Sequence, residues 1–532
     1  MADEKKAEGH CNEGNEACEA NERIQEHLKF SKIKVKPPKL TGEINIPDLN
    51  PNSMFEVKPQ LLTAKEMLAH LGYPTDGLIP NWKEVFLRKM DEMLKKYRSV
   101  RLYMDICVKC GACVDKCHYY LGTGDPLNMP VARQELMRKV YRRYFTLPGK
   151  LFGSRFVNGS DLSEELLVMW YTYFYQCSEC RRCSVFCPYG IDTAEITMAA
   201  REILNSVGIV QKYLHEIIFK AQTIGNNLGM QQNAIINALE FVQDELQEET
   251  GLDIKVPIDV EGADVLFVTP SADFFASPHI ESLYGYAKVF HQAGISWTMS
   301  THASEGGNFG MFVHNYEHMK KINKRIWEAA RDLKVKRVVG GECGHMWRVL
   351  SSFSNTMWGP FDYLDQNYKR PQHICEVTLD LLNRGALKID KSANEEFIVT
   401  MHDSCQVARG MELGGVPNGQ FDIPRDVIRG VCDKFVDMPA ETIRERTFCC
   451  GAGQGLLGDD MMATRVKGAM PRMQAYHYAK RESGVNFVAL ICAICKAQLS
   501  KMFPEYGIAM EEVGGIHQLV GRAIVLGAKE GV

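Results

Sequence analysis

Two cysteine quartets in the first 190 residues are the side chains best suited to chemistry. The segments "CVKCGACVDKC" and "CSECRRCSVFCP" both have the spacing C-x2-C-x2-C-x3-C, which is typical of cubane [4Fe-4S] sites. Three thiolates on one turning loop can hold three irons of a cube, and the fourth cysteine can reach across to the other cluster. We therefore predict one cubane held by Cys107, Cys110, Cys113 and Cys187, and a second held by Cys177, Cys180, Cys183 and Cys117.

Structural zinc is the alternative for the quartets, but zinc sites usually divide into two separated C-x2-C pairs. Pro188 follows the second quartet, as in many ferredoxins, whereas His118 takes that place after the first. Two adjacent cubanes predict an electron path and not, by themselves, a catalyst.

A third cysteine group lies in the C-terminal half. Its members are Cys405 in "MHDSC", Cys449 and Cys450 in "FCCGAGQG", and Cys492 and Cys495 in "CAIC". Neighbouring cysteines are too constrained for an easy mutual disulfide. Each member follows a predicted strand or precedes a glycine turn, where ligands gather in open α/β sheets. We therefore predict that the doubled cysteine contributes two thiolates to one metal cluster.

The glycines after the doubled cysteine support this interpretation. Gly451, Gly453 and Gly455 would allow backbone N–H groups to approach cluster sulfur and tune its potential. A dinucleotide-binding loop is the competing interpretation, but the glycines run G-x-G-x-G and no strand directly precedes them.

The elements that must position these cysteines change in character along the chain. Residues 1–32 read as a flexible acidic arm, and 33–94 as an extended strap followed by a helix. Residues 95–255 have helical periodicity and hold both quartets, and in this they resemble the α-helical ferredoxin domain of respiratory iron–sulfur subunits. From residue 256 short β-rich runs such as "ADVLFVTP", "KRVVGG", "EEFIVTMHD" and "NFVALIC" alternate with helices, which predicts parallel sheets. The predicted fold class is therefore α+β and multidomain.

The α/β half contains a weak internal repeat. Ser304 to Gly310 align with Cys449 to Gly455, and "RVVGGEC" aligns with "ALICAIC". The first copy spans residues 256–395 and the second copy spans residues 396–532. At the positions where the second copy has cluster-binding cysteines, the first copy has Ser304, Glu305 and Gly340, so we expect no cluster in the first copy. Cys343 is the one cysteine of the first copy that aligns with a predicted ligand of the second copy. A pseudo-twofold pair would direct it toward the centre, either as a relic buried thiol or as an extra ligand or substrate-facing thiol.

Composition limits the remaining classes. The chain has 532 residues, a net charge of −4 and 18 cysteines, which gives no argument for nucleic acid as a partner. Neither a secretory signal nor a run of about 18 apolar residues is found, so we expect a reducing compartment and no transmembrane segment. The arginine-rich segment around Arg133 to Arg143 is interpreted as a solvated helix face or, alternatively, as a docking surface for an acidic partner.

At Cys405, Cys449, Cys450 and "CAIC" the sequence resembles the cysteine-rich CCG domain of heterodisulfide reductase catalytic subunits. With the two quartets included, roughly residues 95 to 505 resemble the D-type catalytic subunits of that family, and in particular the iron–sulfur subunits of the membrane complex associated with dissimilatory sulfite reduction. The resemblance implies that the five C-terminal cysteines hold a noncubane [4Fe-4S] cluster, with Cys343 as a tentative addition to this catalytic set.

The same resemblance implies a heterodisulfide reductase-like oxidoreductase on the cytoplasmic face of a membrane. Electrons would pass between a cytochrome b-type subunit, with menaquinone, and a disulfide or trisulfide on a small sulfur-carrier protein or thiol. The alternative is an electron-relay subunit of a flavin-dependent glycolate, lactate or glycerol 3-phosphate dehydrogenase. The direction of electron flow stays open.

Overall fold

The computed structural model describes residues 65–453 and 461–527. The predicted acidic arm, most of the predicted strap and Gly455 lie outside the described residues. Within them the chain mixes helices with two small parallel sheets, and the helices dominate the part that precedes the first strand.

The part of the chain that carries the two quartets is helical, as its periodicity predicts. Glycines in the left-handed region end two of its helices, Gly124 after Thr123 and Gly251 after Thr250. The helices are α1 (Lys65–Leu71), α2 (Trp82–Lys96), α3 (Arg98–Ile106), α4 (His118–Thr123), α5 (Pro130–Phe145), α6 (Leu147–Phe156), α7 (Glu164–Tyr175), α8 (Arg182–Val185), α9 (Thr193–Ser206), α10 (Lys212–Thr223) and α11 (Gln232–Thr250). Helix α1 falls inside the segment predicted to be extended, and it buries Leu68 and Leu71.

The first sheet has four parallel strands in the order β2-β1-β3-β4. Its central strands are fully or nearly fully buried, as expected for short apolar runs covered by helices on both faces. The strands are β1 (Val265–Val268), β2 (Trp297–Thr298), β3 (Arg337–Gly340) and β4 (Gln372–His373); the helices are α12 (His279–Ala293), α13 (Tyr316–Asp332), α14 (Gly344–Ser352), α15 (Ser354–Trp358) and α16 (Ile374–Asn383).

The second sheet has three parallel strands in the order β5-β6-β7. The strand predictions for "EEFIVTMHD" and "NFVALIC" are confirmed by β5 and β6, which lie side by side. The strands are β5 (Val399–His402), β6 (Phe487–Leu490) and β7 (Val513–Gly515); the helices are α17 (Cys405–Ala408), α18 (Gly419–Val431), α19 (Met462–Ser483), α20 (Ala493–Glu505) and α21 (Ile516–Ala523).

The two sheet-containing parts are joined by a close helix crossing and a buried charge network. Gly285 of α12 faces α21 so closely that a Cβ there would lie 1.9 Å from the carbonyl oxygen of His517. Beside this crossing, Glu342 accepts hydrogen bonds from Lys496 Nζ at 2.6 Å and from the backbone N–H of His517 at 2.7 Å. Lys496 also donates to Ser282 at 2.6 Å, and all four side chains are buried.

The helical part packs on the second sheet-containing part through α4 and α19. A Cβ on Gly122 would lie 1.8 Å from the carbonyl oxygen of Lys467, and one on Gly468 would lie 2.5 Å from the ring of Tyr119. His118 bridges the same contact, because its two ring nitrogens bond to the Gly468 carbonyl at 2.8 Å and to Ser178 Oγ at 2.7 Å. The lack of a side chain at these two glycines therefore lets the quartet loops approach the third cysteine group.

Helix α5 is not the solvated basic face that its sequence suggests. Arg133 is buried and its Nε donates to the carbonyl of Tyr173 at 2.7 Å, while buried Arg138 donates to the carbonyl of Met104 at 3.1 Å. Arg142 and Arg138 both pair with Glu135. The preferred interpretation was wrong because non-local carbonyl groups, invisible in the sequence, accept these guanidinium hydrogen bonds.

Candidate metal centres

The first cysteine cavity brings together the ligands predicted for the first cubane. Cys107, Cys110, Cys113 and Cys187 all line it, together with Cys183. Burial raises the pKa of Cys113 to about 11, and the neighbouring thiols of Cys107 and Cys187 add to the rise. The last cysteine of the second motif therefore lies with the first three of the first motif, as the predicted exchange requires.

The second cysteine cavity holds the complementary set. Cys117, Cys177, Cys180 and Cys183 line it. Burial raises the pKa of Cys183 well above its ordinary value, and the thiols of Cys180, Cys177 and Cys117 raise it further. Cys183 lines both cavities, so the two sites are adjacent.

Both loops use one backbone pattern to aim their thiols. The residue before the second cysteine has a positive φ in each loop, 58° at Lys109 and 50° at Glu179. The residue after it does so as well, 82° at Gly111 and 61° at Arg181. The left-handed conformation costs conformational free energy at non-glycine residues. The same pattern of two left-handed residues around one cysteine occurs in both loops, which is typical of a functional constraint.

The five C-terminal cysteines form the five-thiol site. Their thiols contact one another in a continuous chain, in which Cys405 touches Cys449, Cys449 touches Cys450, Cys450 touches Cys495 and Cys495 touches Cys492. All five are buried. The contacts join β5 and β6 to the loop of the doubled cysteine, because Cys405 begins α17 just beyond the end of β5, and Cys492 lies just beyond the end of β6. These cysteines, far apart in sequence, therefore converge on one point at the carboxyl edge of the sheet.

The donor set at this point fits a metal cluster. The neighbouring Cys449 thiol, and then burial, raise the pKa of Cys405 well above its ordinary value. Hydrogen bonds from Cys449 and Cys495 lower the pKa of Cys450 to about 5. Thiols in contact cannot all ionise unless a strongly cationic group joins them, and an iron–sulfur cluster deprotonates its ligands outright.

His402 ends β5 beside the five-thiol site. One ring nitrogen and the sulfurs of Cys450 and Cys495 all lie within 4.8 Å of one another. The ring is fully buried, and within the described residues neither nitrogen has a hydrogen-bond partner. Burial lowers its pKa to about 3. His402 is thus a neutral ring with both nitrogens available to a group bound at the thiols.

Asp403, which follows His402 in sequence, differs from it because its side chain is fully hydrogen-bonded. Its two carboxylate oxygens accept hydrogen bonds from Arg425 Nη1 and Nη2, each at 2.8 Å, and one also accepts the backbone N–H of Arg444 at 2.7 Å. Burial raises the pKa of Asp403, but the bonds to Arg425 outweigh burial and leave it lowered. A carboxylate held in this way fixes the turn before Cys405.

Two arginines connect the second cysteine cavity to the five-thiol site. Arg182 donates to the carbonyls of Arg446 at 2.7 Å and Glu441 at 3.1 Å, and its guanidinium lies 3.6 Å over the ring of Phe448. Arg409 donates to the carbonyl of Cys180 at 2.6 Å. Cys180 lies in the same buried cluster as all five thiols. Sequence reasoning missed both arginines, since carbonyl acceptors leave no residue signature.

The first copy of the predicted repeat has a buried polar loop in place of thiols. Glu305 accepts hydrogen bonds from the backbone of Asn227 and from Ser271 Oγ at 2.9 Å. Burial raises the pKa of Glu305 to about 7. Cys343 is buried at the start of α14, and its pKa is raised well above the ordinary value by burial and then by nearby Cys492. Cys343 therefore lies toward the five-thiol site.

The doubled cysteine requires the glycine that follows it. Gly451 has a φ of 99°, and a Cβ there would lie 2.7 Å from the Arg465 carbonyl oxygen and 2.8 Å from the Ala469 nitrogen. The carbonyl of Gly451 accepts the hydroxyl of Tyr119 at 2.9 Å, which connects this turn to α4. Gly453 has a φ of 120°.

Comparison with known proteins agrees with this arrangement. The 4Fe-4S dicluster domain family matches residues 103–191, which include both quartets. The Hdr-like menaquinol oxidoreductase iron-sulfur subunit 2 of Archaeoglobus fulgidus is 45% identical over 478 residues, 84% of each chain. A corresponding protein of Archaeoglobus profundus is 44% identical over 86% of each chain. The D-type subunit of the dihydromethanophenazine:CoB–CoM heterodisulfide reductase of Methanosarcina barkeri is 24% identical, over 76% of this chain and 91% of its own.

The fold and the cysteine groups thus define an iron–sulfur subunit of an oxidoreductase. The chain belongs to the family of Hdr-like menaquinol oxidoreductase iron–sulfur subunits. None of its described helices is both long and apolar enough to cross a bilayer.

Proposed function

We propose that this chain is the catalytic iron–sulfur subunit of a membrane-bound complex, in which electrons pass between menaquinol and a disulfide or trisulfide substrate. The observation that carries the proposal is the five-thiol site, which lies against Cys180 of the second cysteine cavity. An electron path that ends beside five buried thiols favours sulfur chemistry at its end.

Each group of cysteines has its own part in this proposal. Cys107, Cys110, Cys113 and Cys187 hold one cubane, and Cys177, Cys180, Cys183 and Cys117 hold the other. Cys405, Cys449, Cys450, Cys492 and Cys495 hold a noncubane [4Fe-4S] cluster. When bound, these clusters supply one-electron transfer and an iron centre that can accept a sulfur ligand.

The chain's own side chains prepare the site for cleavage of a sulfur–sulfur bond. Reduction of R–S–S–R′ to two thiols consumes two electrons and two protons. Burial of the five thiols excludes bulk water, and His402 places a neutral ring with two unpartnered nitrogens within reach of Cys450 and Cys495. We assign His402 the role of a neutral hydrogen-bond donor to the sulfur that departs, while the two protons come from solvent with the substrate.

The α/β half is proposed to be a pseudo-twofold pair of CCG domains, residues 256–395 and 396–532, after a ferredoxin domain of residues 95–255. The parallel pairing of β1 with β3, and of β5 with β6, supports the repeat. The place of Cys343 near Cys492 supports its role as a thiol that faces the substrate or cluster.

The names of the relatives, which describe menaquinol oxidoreductase subunits, support the proposal of partners in a complex. A cytochrome b-type membrane protein of the same complex exchanges electrons between menaquinol and this chain on the cytoplasmic face, and a small sulfur-carrier protein of dissimilatory sulfur metabolism presents the substrate bond.

The test is electron paramagnetic resonance of the anaerobically purified, oxidised chain, with and without a candidate thiol, together with an iron count. A new signal that depends on thiol and disappears in Cys449→Ser supports sulfur chemistry at the doubled cysteine. Iron for two clusters only, with cubane signals alone, would contradict it and favour an electron-relay role for a flavin-dependent dehydrogenase.

A further inference from the structure

Helix α6 carries the most exposed apolar group in the described part of the chain. Leu147, Leu151, Phe152 and Phe156 are each between 63% and 71% exposed within a ten-residue segment. The segment is kinked at Gly153, where φ is 77°, and the rings of Phe152 and Phe156 pack against each other at 4.9 Å. Four large apolar side chains held in water are costly to a monomer and mark a contact surface.

The base of this segment is firmly attached, so its exposure is not a frayed end. Gly149 is buried, and a Cβ there would lie 1.9 Å from the carbonyl oxygen of Arg142 in α5. Thr146 Oγ1 accepts the backbone N–H of Gly149 at 3.3 Å, and Arg143 donates to the Gly149 carbonyl at 3.2 Å. Helix α5 thus presents the apolar side chains on a fixed support.

The charges of the segment are of one sign. Lys150 and Arg155 are exposed and form no ion pair with any described residue, and residues 144–160 contain no Asp or Glu. Apolar side chains with basic neighbours match the boundary between lipid head groups and acyl chains, where the side chains enter the hydrocarbon and the cations meet anionic phosphates.

We propose that α6 is a membrane-contacting element that inserts Leu147, Leu151, Phe152 and Phe156 into the surface of a bilayer with anionic lipids. The four side chains lie on one kinked segment that also carries two exposed cations, so apolar area and positive charge occur on the same short element. The inference goes beyond the proposed function, in which the chain meets the membrane through partner subunits.

This contact would orient the electron path. Gln134 and Val131 of α5 line the first cysteine cavity, and α6 packs against the other end of the same helix. At 1.5 Å per residue, Gln134 and Arg143 are separated by about 14 Å along α5. Insertion of α6 would therefore hold the first cysteine cavity about 14 Å along α5 from the membrane-contacting segment.

The test uses the full chain, purified anaerobically with its clusters, in flotation with vesicles of phosphatidylcholine with or without phosphatidylglycerol. The double variant Phe152→Ser with Phe156→Ser should lower the partition coefficient about tenfold on either vesicle. The matched control is Phe241→Ser on α11, a side chain 60% exposed elsewhere, which should bind as the native chain does. The variant Lys150→Gln with Arg155→Gln should lose binding only on vesicles that contain phosphatidylglycerol.

Iron content and circular dichroism of each variant confirm that the fold is retained. The proposal is overturned if the native chain stays off both vesicles, or if Phe241→Ser loses as much binding as the double phenylalanine variant. A third result also overturns the proposal. If the native chain does not bind lipid but binds a membrane protein of its complex, and the double phenylalanine variant does not bind that protein, the surface recognises protein and not lipid.

Discussion

Arg409 Nη1 donates a hydrogen bond of 2.6 Å to the carbonyl oxygen of Cys180, although 229 residues separate them in sequence. The same guanidinium donates to the carbonyls of Glu445 at 2.8 Å and of Thr447. One side chain thus ties the loop of the second cysteine cavity to the segment that leads into the doubled cysteine. The spacing between the predicted second cubane and the five-thiol site depends on it.

Replacement of Arg409 by Gln should weaken this connection. Loss of three charge-assisted hydrogen bonds to buried carbonyls is expected to lower the free energy of unfolding by about 2–5 kcal/mol. Stopped-flow reduction should show slower electron arrival at the third cluster while the iron count stays near that of the native chain. The neighbouring exposed Arg446→Gln is the control; equal rates in both variants would show that Arg409 does not set the spacing.

Removal of one thiol from the five-thiol site should remove one cluster and leave the other two. Cys449→Ser is expected to lose about four irons of about twelve, because a noncubane ligand cannot be replaced by a neutral hydroxyl. The comparison variant is Cys375→Ser, since Cys375 is equally buried in α16 but lies outside the three cysteine groups. Iron and sulfide analysis decides the matter: a full complement of iron in Cys449→Ser would exclude this ligand assignment.

Gly451 and Gly453 offer a matched pair, since both have a positive φ but only one is crowded. Gly451→Ala should be at least about 2 kcal/mol more destabilising than Gly453→Ala, because its Cβ would overlap α19 in addition to the backbone strain. No described atom lies within 4 Å of a Cβ on Gly453. Urea unfolding and iron retention measure the difference, and similar losses in the two variants would mean that packing against α19 is unimportant.

Glu305 should make stability depend on pH. Burial raises its pKa from an ordinary 4.5 to about 7, so its contribution is fully present below pH 4.5 and is lost as the pH rises through 7. Between pH 5 and 8 the native chain should therefore lose roughly 2–3 kcal/mol more than Glu305→Gln. Urea midpoints at each pH test this, with the exposed Glu317→Gln as control; parallel pH profiles for native chain and Glu305→Gln would refute it.

Local patterns in the sequence were sufficient for much of the fold. Short apolar runs predicted β1, β3, β5 and β6, and the alternation with helices predicted their parallel pairing, which the structure confirms. Strand periodicity and burial are local properties, so they can be read from neighbouring residues. The four thiols predicted for each cubane line one cavity, including the exchanged Cys117 and Cys187, although Cys183 lines both cavities; the ligand assignment itself stays a prediction.

What the sequence could not show depends on contacts between distant residues. Charged residues are usually expected at the surface. Three arginines are buried here because carbonyl oxygens from distant parts of the chain accept their hydrogen bonds, namely Arg133, Arg182 and Arg409. Helix α1 was missed because the surrounding prolines and turns obscured its seven residues. The sequence places His402 beside Cys405, but its closeness to Cys450 and Cys495 required the register of β5 beside β6, which no single strand contains.

The buried network of Glu342, Lys496, Ser282 and His517 has a mechanical consequence. Any motion that parted the two sheets would break the buried ion pair of Glu342 with Lys496 and expose the apolar side chains around it to water. The network therefore opposes hinge motion between the two sheet-containing parts. A substrate must therefore reach the five buried thiols without a separation of the two sheets.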